Sequence, residues 1–286
     1  MTGLGGKVFV GSTLVATGTR SDQRPSPMLA TNVNSAASTR TTVTSTASST
    51  PFTAGGWVQV TSSLPAACDG VVVFPPGATN SAGSDTSTVL EIGTGASGSE
   101  TVWATVAVGF NPSPFPLTVP GHLAAGTRVA VRTRSAVPSF AVVAYYSFTA
   151  AKDLSPGSPV TWGGASIATT ARGVDLAVPG SLNTKGAWTE IVASTSVAVS
   201  QLALYAQCAG NNTMPSGSLL IDIGVGASGS ESVVIPDLAY ATSTSEWLLA
   251  RGPQAYGVDI PAGSRIAARY ARSASNATVD LILVGA

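Results

Sequence analysis

One stretch of eleven residues occurs twice in the chain. Residues 90–100 read LEIGTGASGSE and residues 221–231 read IDIGVGASGSE, so the second copy begins 131 residues after the first (221 minus 90). The same offset carries Trp57 onto Trp188. An offset of this length is close to the size of one ordinary domain. The chain of 286 residues is therefore an internal duplication, and we expect two domains with the same fold.

The residues around the repeated stretch predict short β-strands. Runs of β-branched and aromatic residues are separated by Pro, Gly, Asn and Ser clusters about every 8 to 12 residues, which is typical of an all-β sandwich. No window of the sequence has a convincing helical period. With about eight strands in each copy, the sequence predicts two tandem jelly-roll-like antiparallel β-sandwich domains.

The expected organisation has four parts. Residues 1–37 have no clear counterpart in the second half and are interpreted as an N-terminal docking arm that adds a strand to a neighbour's sheet; a poorly ordered terminus is the alternative. Residues 38–150 form the first β-sandwich domain and residues 171–286 the second. Residues 151–170 are rich in Pro, Gly and Ser, and this composition predicts an interdomain linker.

Composition narrows the classes of function. Charged residues make up 10% of the chain and the formal net charge is zero, whereas an ordinary soluble protein has about 25% charged residues. We therefore expect no nucleic-acid partner and no binding to an anionic membrane. Low charge near neutrality also removes the repulsion that keeps a free protein dispersed, which favours a chain that works inside an assembly. No apolar run reaches the roughly 18 residues of a membrane helix, so we expect no membrane insertion.

The repeated stretch contains the pattern G-x-G-x-x-G, at residues 93–98 and 224–229. This pattern occurs in dinucleotide-binding folds, and the first copy also looks like the first motif of S-adenosylmethionine-dependent methyltransferases. Both motifs need a helix directly after the glycines, because its free amide groups hold the ligand. The first copy instead continues as TVWATVAV, and Pro236 follows the second. The sequence therefore predicts a tight connection between strands, with glycines at positive φ and no cofactor.

A few carboxylates and one histidine are the candidate metal-binding or catalytic groups of the sequence. Glu100 and Glu231 have the same position in the two copies, with Glu91 and Asp222 close by in sequence. Calcium prefers such oxygen ligands, but the spacing matches no EF-hand loop, and a carboxylate that satisfies turn amides is the favoured interpretation. His122 is the only histidine, and no nucleophile elbow accompanies it. The chain is therefore predicted not to be an enzyme, and no catalytic or metal-binding residue is assigned.

Six side chains are predicted as contacts for a partner protein or a glycan. Each copy carries two arginines on one face of a late strand, where they can bind carboxylates; a solvated strand face is the alternative. The tryptophans that the copies do not share are better candidates for contact surfaces than Trp57 and Trp188, which we expect to be core residues. Trp162 is one of these unshared tryptophans. The six predicted contact residues are Trp103, Trp247, Arg128, Arg132, Arg265 and Arg269.

The two halves resemble a family of small β domains in the virion proteins of tailed bacteriophages. The residues that carry the resemblance are GAWT at 186–189, the repeated stretch at 221–231 and IPAGSRIAAR at 260–269. The first half departs from this pattern, because NPSPFP at 111–116 replaces the longer loop around Trp247. The resemblance implies a tandem jelly-roll structural protein of the virion, described as a minor tail or decoration protein, with no catalytic residues and no cofactor.

We therefore expect a non-enzymatic bacteriophage virion structural protein, and first of all a minor tail protein attached to the tail or tail tip. The alternatives are a head decoration or spike protein, or a module that binds host-surface glycans during adsorption. The expected partners are other tail or capsid proteins, and the expected location is the virion, assembled in the host cytoplasm. Three copies of a two-domain chain would present six similar domains to a sixfold tail, so a trimer is the homo-oligomer expected there.

Overall fold

The computed structural model describes most of the two repeated halves. The described residues are 7–10, 13–16, 42–78, 88–108, 117–150, 157–163, 173–208, 217–242, 247–249, 255–274 and 279–286. Regular secondary structure in these segments is antiparallel β-sheet throughout. The predicted all-β sandwich fold is confirmed. None of these segments forms a helix with the length and hydropathy needed to span a membrane.

The described residues of the first domain form eight strands in two sheets of four. One sheet has the strand order β3-β10-β5-β8 and the other β4-β9-β6-β7. The strands are β3 (Thr42–Thr46), β4 (Val58–Thr61), β5 (Cys68–Ala78), β6 (Thr88–Thr94), β7 (Thr101–Val108), β8 (Leu117–Leu123), β9 (Val129–Ser135) and β10 (Ala141–Ala150). Before them, β1 (Lys7–Val10) and β2 (Thr13–Ala16) pair with each other.

The second domain repeats this arrangement with two additional strands. Its sheets have the orders β11-β20-β14-β18, with β12 also pairing with β20, and β13-β19-β15-β16-β17. The strands are β11 (Val160–Trp162), β12 (Val174–Asp175), β13 (Thr189–Val192), β14 (Val199–Cys208), β15 (Gly217–Val225), β16 (Ser232–Thr242), β17 (Trp247–Leu249), β18 (Tyr256–Ile260), β19 (Ile266–Arg272) and β20 (Val279–Gly285).

The strand order in both domains is that of a jelly roll. When the eight common strands of each domain are lettered B to I along the chain, the two sheets read B-I-D-G and C-H-E-F. Strand G is the last strand of its sheet in both domains; strand F is the last in the first domain and is followed only by the short strand β17 in the second. We call the surface that they form the F–G side: it consists of β7 and β8 in the first domain and of β16 and β18 in the second.

The two domains share part of their hydrophobic core. In β14, Leu202 and Leu204 face the core of the second domain, whereas Ala203 and Tyr205 between them pack into the core of the first. In β20 the pattern is the same, with Ile282 and Val284 packed against the first domain. One sheet of the second domain is therefore buried on both faces, and its outer face covers the F–G side of the first domain.

The stretch predicted as a linker is partly a strand. Within residues 157–163, β11 pairs with β20 and so belongs to a sheet of the second domain. The same segment contacts the first domain, because Thr161 Oγ1 accepts a hydrogen bond of 3.3 Å from the amide of Thr105. The stretch predicted as an interdomain linker therefore includes a short strand, which its Pro- and Gly-rich composition did not indicate. Residues 151–156 and 164–172 lie outside the described residues, as does most of the predicted arm at 1–37.

Candidate functional site in the repeated loops and at the domain junction

The repeated glycine-rich stretch forms a loop between two strands in each domain. It connects β6 to β7 in the first domain and β15 to β16 in the second. Gly95 and Gly98 have φ angles of 115° and 84°, and Gly226 and Gly229 have 130° and 83°. Side chains other than glycine rarely adopt such angles. The prediction of a strand connection with positive-φ glycines is confirmed, and the helix that a cofactor motif requires does not follow either loop.

A buried ion pair closes the loop of the first domain. The Glu100 side chain is only 2% exposed and lies 2.8 Å from the Arg128 guanidinium. Glu100 also accepts a hydrogen bond from the amide of Gly98, and Arg128 donates to the carbonyl of Gly95. Burial by itself raises the pKa of Glu100, but the hydrogen bonds from the backbone and from Arg128 outweigh it and hold the pKa below its usual value. Glu100 is thus a turn carboxylate, as the favoured interpretation predicted.

The second domain closes its loop in the same way. Glu231 is 1% exposed and lies 2.8 Å from Arg265, which also donates to the carbonyl of Gly226. Arg265 has a second carboxylate partner in Glu190, at 2.7 Å, where Arg128 has the neutral Gln59. Within the described residues, no group of three or more His, Cys, Asp or Glu side chains is placed to hold a metal ion.

A glycine, a tryptophan and an arginine form a layered contact on the outer face of each domain. A Cβ atom on Gly93 would lie 2.6 Å from the Trp57 ring, so the ring can approach the sheet only because the residue is glycine. The Arg132 guanidinium lies 4.3 Å from the centre of the same ring, within the range of a cation–π interaction. We call this the Trp–Gly–Arg stack. The equivalent residues of the second domain are Trp188, Gly224 and Arg269, at 2.7 and 4.4 Å.

The acidic residue beside each stack has different partners in the two domains. Glu91 binds Arg132 and also Arg134, at 2.6 Å. Its counterpart Asp222 binds Lys185 at 2.6 Å and Arg269 at 3.0 Å. Burial raises the pKa of Asp222, but hydrogen bonds from a backbone amide and from the two cations outweigh it, and the pKa is lowered. Sequence reasoning did not identify Arg134 or Lys185, because the corresponding residue of the other copy is alanine in each case, Ala271 for Arg134 and Ala54 for Lys185.

The structure distributes the six predicted contact residues over several places. The four arginines form ion pairs or ring contacts inside their own domains, as described above. Trp103 is partly buried and packs against the core of the first domain, close to Gly121. Trp247 lies in β17, and its side chain is outside the described part of the chain. The interpretation of Trp162 as a contact surface is wrong, because this residue is buried in the second core against Gly285.

The junction between the domains is closely packed. The hydroxyl of the buried Tyr205 donates a hydrogen bond of 2.6 Å to the carbonyl of Thr118. Nearby, a Cβ atom on Gly121 would lie 2.7 Å from Pro159 and 2.8 Å from Trp103, so these three residues meet with no room for a side chain. Sequence reasoning missed this junction. Its signal was present in the unbroken apolar runs of β14 and β20, which indicate strands buried on both faces.

His122 contributes to the same region. Its Nδ1 atom lies 3.0 Å from the carboxylate of Asp69, and its backbone amide donates to the carbonyl of Gly157. These contacts connect β8 with β5 and with the segment that precedes β11. Cys68, next to Asp69, is a buried free thiol, and burial raises its pKa to about 11. The thiol therefore stays protonated near neutral pH and is a poor nucleophile.

Comparisons with known proteins do not identify a family for this chain. No protein-family model matches the sequence, and no curated protein matches it. Among solved structures, the chain is similar to the PBSX exported protein XepA, at 11% sequence identity. The alignment covers 89% of this chain and 87% of that chain, with a TM-score of 0.23. This score is too low to establish a common fold, so the fold assignment depends on the strand order described above.

Proposed function

We propose that this chain is a non-enzymatic structural protein of a bacteriophage virion, and specifically a minor tail protein attached to the tail or tail tip. The observation that carries the proposal is that the repeated residues bind one another inside each domain. In each loop, the glycines set backbone turns, and the carboxylate and the arginine bind each other and the loop backbone. What the duplication preserved is therefore a rigid shape.

The chemistry of the loops supports this reading over a ligand-binding one. A loop that holds a phosphate directs several free amide groups toward the ligand. Here the amide of Gly98 donates to Glu100, and the amides of Ser99 and Ser230 donate to carbonyls within their own loops. An anionic ligand would also have to approach the buried carboxylates of Glu100 and Glu231. Both features disfavour a cofactor and favour a structural module.

The joint core of the two domains fits a protein that bears load in a particle. Tyr205 and Ile282 of the second domain pack into the first, and Tyr205 adds a hydrogen bond across the junction. A chain with few charges and no net charge is also suited to a surface that is covered by neighbouring subunits. The proposed partners are other virion proteins, with three copies of the chain presenting six domains at a sixfold tail.

Analysis of purified particles tests the proposal. Phage whose genome encodes the chain should be purified through a density gradient, and the chain quantified against the major tail protein by mass spectrometry. We expect the chain to remain with the particles at a low copy number that is a multiple of three. A non-structural phage protein from the same lysate is the control that must be absent. Full recovery of the chain in the soluble lysate, with none on particles, would overturn the proposal.

The location within the particle needs a second measurement. Tail-less heads and head-less tails from assembly-defective phage can be probed separately for the chain. A minor tail protein is found on the tails, whereas the head decoration alternative predicts recovery with the heads. The glycan-binding alternative depends on Trp247, because Trp103 is engaged at the domain junction. It predicts binding on a glycan array that the substitution Trp247→Ala removes.

A further inference from the structure

The F–G sides of the two domains are covered differently. In the first domain, residues 104–108 of β7 are all buried, because β14 and β20 of the second domain pack over them. In the second domain, the described residues pair with the outer edge of β16 only through β17, along Tyr240–Thr242, and residues 236–239 have no strand partner on this side. Pro236, Asp237 and Ala239 of β16 are exposed there, and so is Asp259 of β18. One surface, present twice because of the duplication, is therefore an interface with another domain in the first copy, whereas in the second copy the stretch around Pro236 and Asp237 is exposed.

The covered side offers a backbone donor to its partner. Thr105, which is paired with Glu91 in the sheet, donates its amide hydrogen outward to the Thr161 hydroxyl, at 3.3 Å. In the second domain, the counterpart of Glu91 is Asp222, and the strand pairing shifts by one residue at this point. Two residues, Pro236 and Asp237, therefore stand where the first domain has Thr105 alone. This is a β-bulge, a common device at sheet edges.

Neither residue of the bulge offers an outward-pointing amide hydrogen like that of Thr105. Pro236 has no amide hydrogen. Asp237 has a φ of 48°, and its amide donates inward to the Asp222 carboxylate at 2.9 Å. The Asp237 side chain is 64% exposed and lies 2.9 Å from Lys185. A sheet packed over this side would have to bury that carboxylate, which is costly without new hydrogen bonds.

The duplication explains why such protection is needed. The interface between the domains joins two different surfaces, the outer face of one sheet and the F–G side of the other domain. A contact between unlike surfaces can repeat from molecule to molecule, and it forms open filaments when the rotation does not close a ring. Proline, bulges and charges on an edge strand are established means of preventing such pairing.

We infer that the bulge of Pro236 and Asp237, with Asp237 held by its ion pair to Lys185, shields the F–G side of the second domain from the sheet of a second copy of this chain. The contact between the first and second domains is then not repeated by a further molecule on the second domain. Any homo-oligomer forms through another surface. The inference depends on the difference between the two domains and does not require the virion role.

The test is to remove the shield. The variant Pro236→Thr/Asp237→Gly restores the amide donor and removes the charge, and glycine tolerates the φ of 48°. The matched control is Pro65→Thr, which changes an exposed proline in a loop of the first domain. Analytical ultracentrifugation over a wide concentration range reports any association step beyond that of the wild type. We expect the double variant to associate on the order of tenfold more tightly, and the control to sediment like the wild type.

Two outcomes would overturn the inference. One is a double variant that folds, as circular dichroism shows, and sediments like the wild type at every concentration. If the double variant does not fold, Asp237→Gly can be tested alone, since it removes the charge and keeps Pro236. We expect this single variant to associate more tightly than the wild type, by less than the tenfold expected of the double variant. Sedimentation of Asp237→Gly identical to that of the wild type is the other outcome against the inference.

Discussion

The two domains are nearly identical in the glycine-rich loop and differ in the strand that follows it. The loops share their φ angles, their Arg–Glu pair and the Trp–Gly–Arg stack, with distances that agree within about 0.1 Å. A few residues later, Thr105 is buried at the domain junction, whereas Pro236 and Asp237 form an exposed bulge. Residues that build the domain are needed in both copies. Residues of the F–G side are free to diverge, because in the described part of the chain only the F–G side of the first domain is covered by another domain.

The largest expected loss of stability comes from breaking the junction between the two domains, which involves the F–G side of the first domain only. Tyr205→Ala removes a buried ring and its hydrogen bond to Thr118, and we expect it to lower the free energy of unfolding by about 3–5 kcal/mol. Phe74→Ala is the matched change, because Phe74 has the same position in the first domain and is only partly buried. Guanidinium denaturation of both variants measures the difference. Equal losses in the two variants would contradict the assignment of Tyr205 to a shared core.

A smaller and symmetric effect is expected when the shared stack is broken. Gly93→Ala and Gly224→Ala place a Cβ atom within 2.6 and 2.7 Å of a tryptophan ring. Such overpacking costs about 1–3 kcal/mol, and we expect similar values in the two domains. Gly56→Ala and Gly180→Ala are controls, since a Cβ there meets no atom within 4 Å. Thermal unfolding followed by tryptophan fluorescence reports the four variants; a loss confined to one of the two stack variants would show that the stacks are not equivalent.

The smallest effect concerns the loop ion pairs and depends on pH. The folded-state pKa values of Glu100 and Glu231 lie below the usual value of 4.5, because the hydrogen bonds that each carboxylate accepts favour its charged form. Their contribution to stability is therefore complete above about pH 4.5, and it is lost as the pH falls through the folded-state pKa values. We expect thermal stability from these groups to be flat between pH 6 and 8 and to fall in acid.

The variant Glu100→Gln/Glu231→Gln isolates this contribution from that of other carboxylates. It should be less stable than the wild type at pH 7, and the difference between the two proteins should shrink toward pH 3. Differential scanning calorimetry across this range is the measurement. A difference that is constant with pH would show that the side-chain charge of Glu100 and Glu231 has no role in closing the loops.

The features that sequence alone predicts are the local and periodic ones. The duplication follows from a constant offset between similar stretches, the strands from alternating apolar residues, and the turns from the φ preference of glycine. Each of these signals can be recognised from residues that are close in sequence. The role of Glu100 in satisfying a turn amide was predictable for the same reason. The presence of an arginine at position 128 of the late strand region was also noted from the sequence. The ion pair between Arg128 and Glu100 was not predictable, since the two residues precede different strands, β9 and β7, and are 28 positions apart.

The features that escaped prediction depend on what covers a surface. Trp162 was interpreted as a contact residue because it is not repeated, yet it is buried in a core that β11 completes. The segment that contains β11 has the composition of a linker, and composition does not reveal a strand that forms only beside β20. The bulge at Pro236 and Asp237 was likewise unpredicted. A proline after the glycine loop argued against a helix, but nothing local indicated that its strand would stay uncovered.

The strands β14 and β20 serve two cores at once, and this has a consequence for how the chain can be divided. A fragment ending near residue 150 would present the F–G side of the first domain to water, because β14 and β20 would no longer cover β7 and β8. The remaining fragment would expose Tyr205, Ile282 and Val284. Each half produced alone would therefore expose apolar residues that are buried in the full chain. We expect such fragments to aggregate, so the two domains should be expressed together.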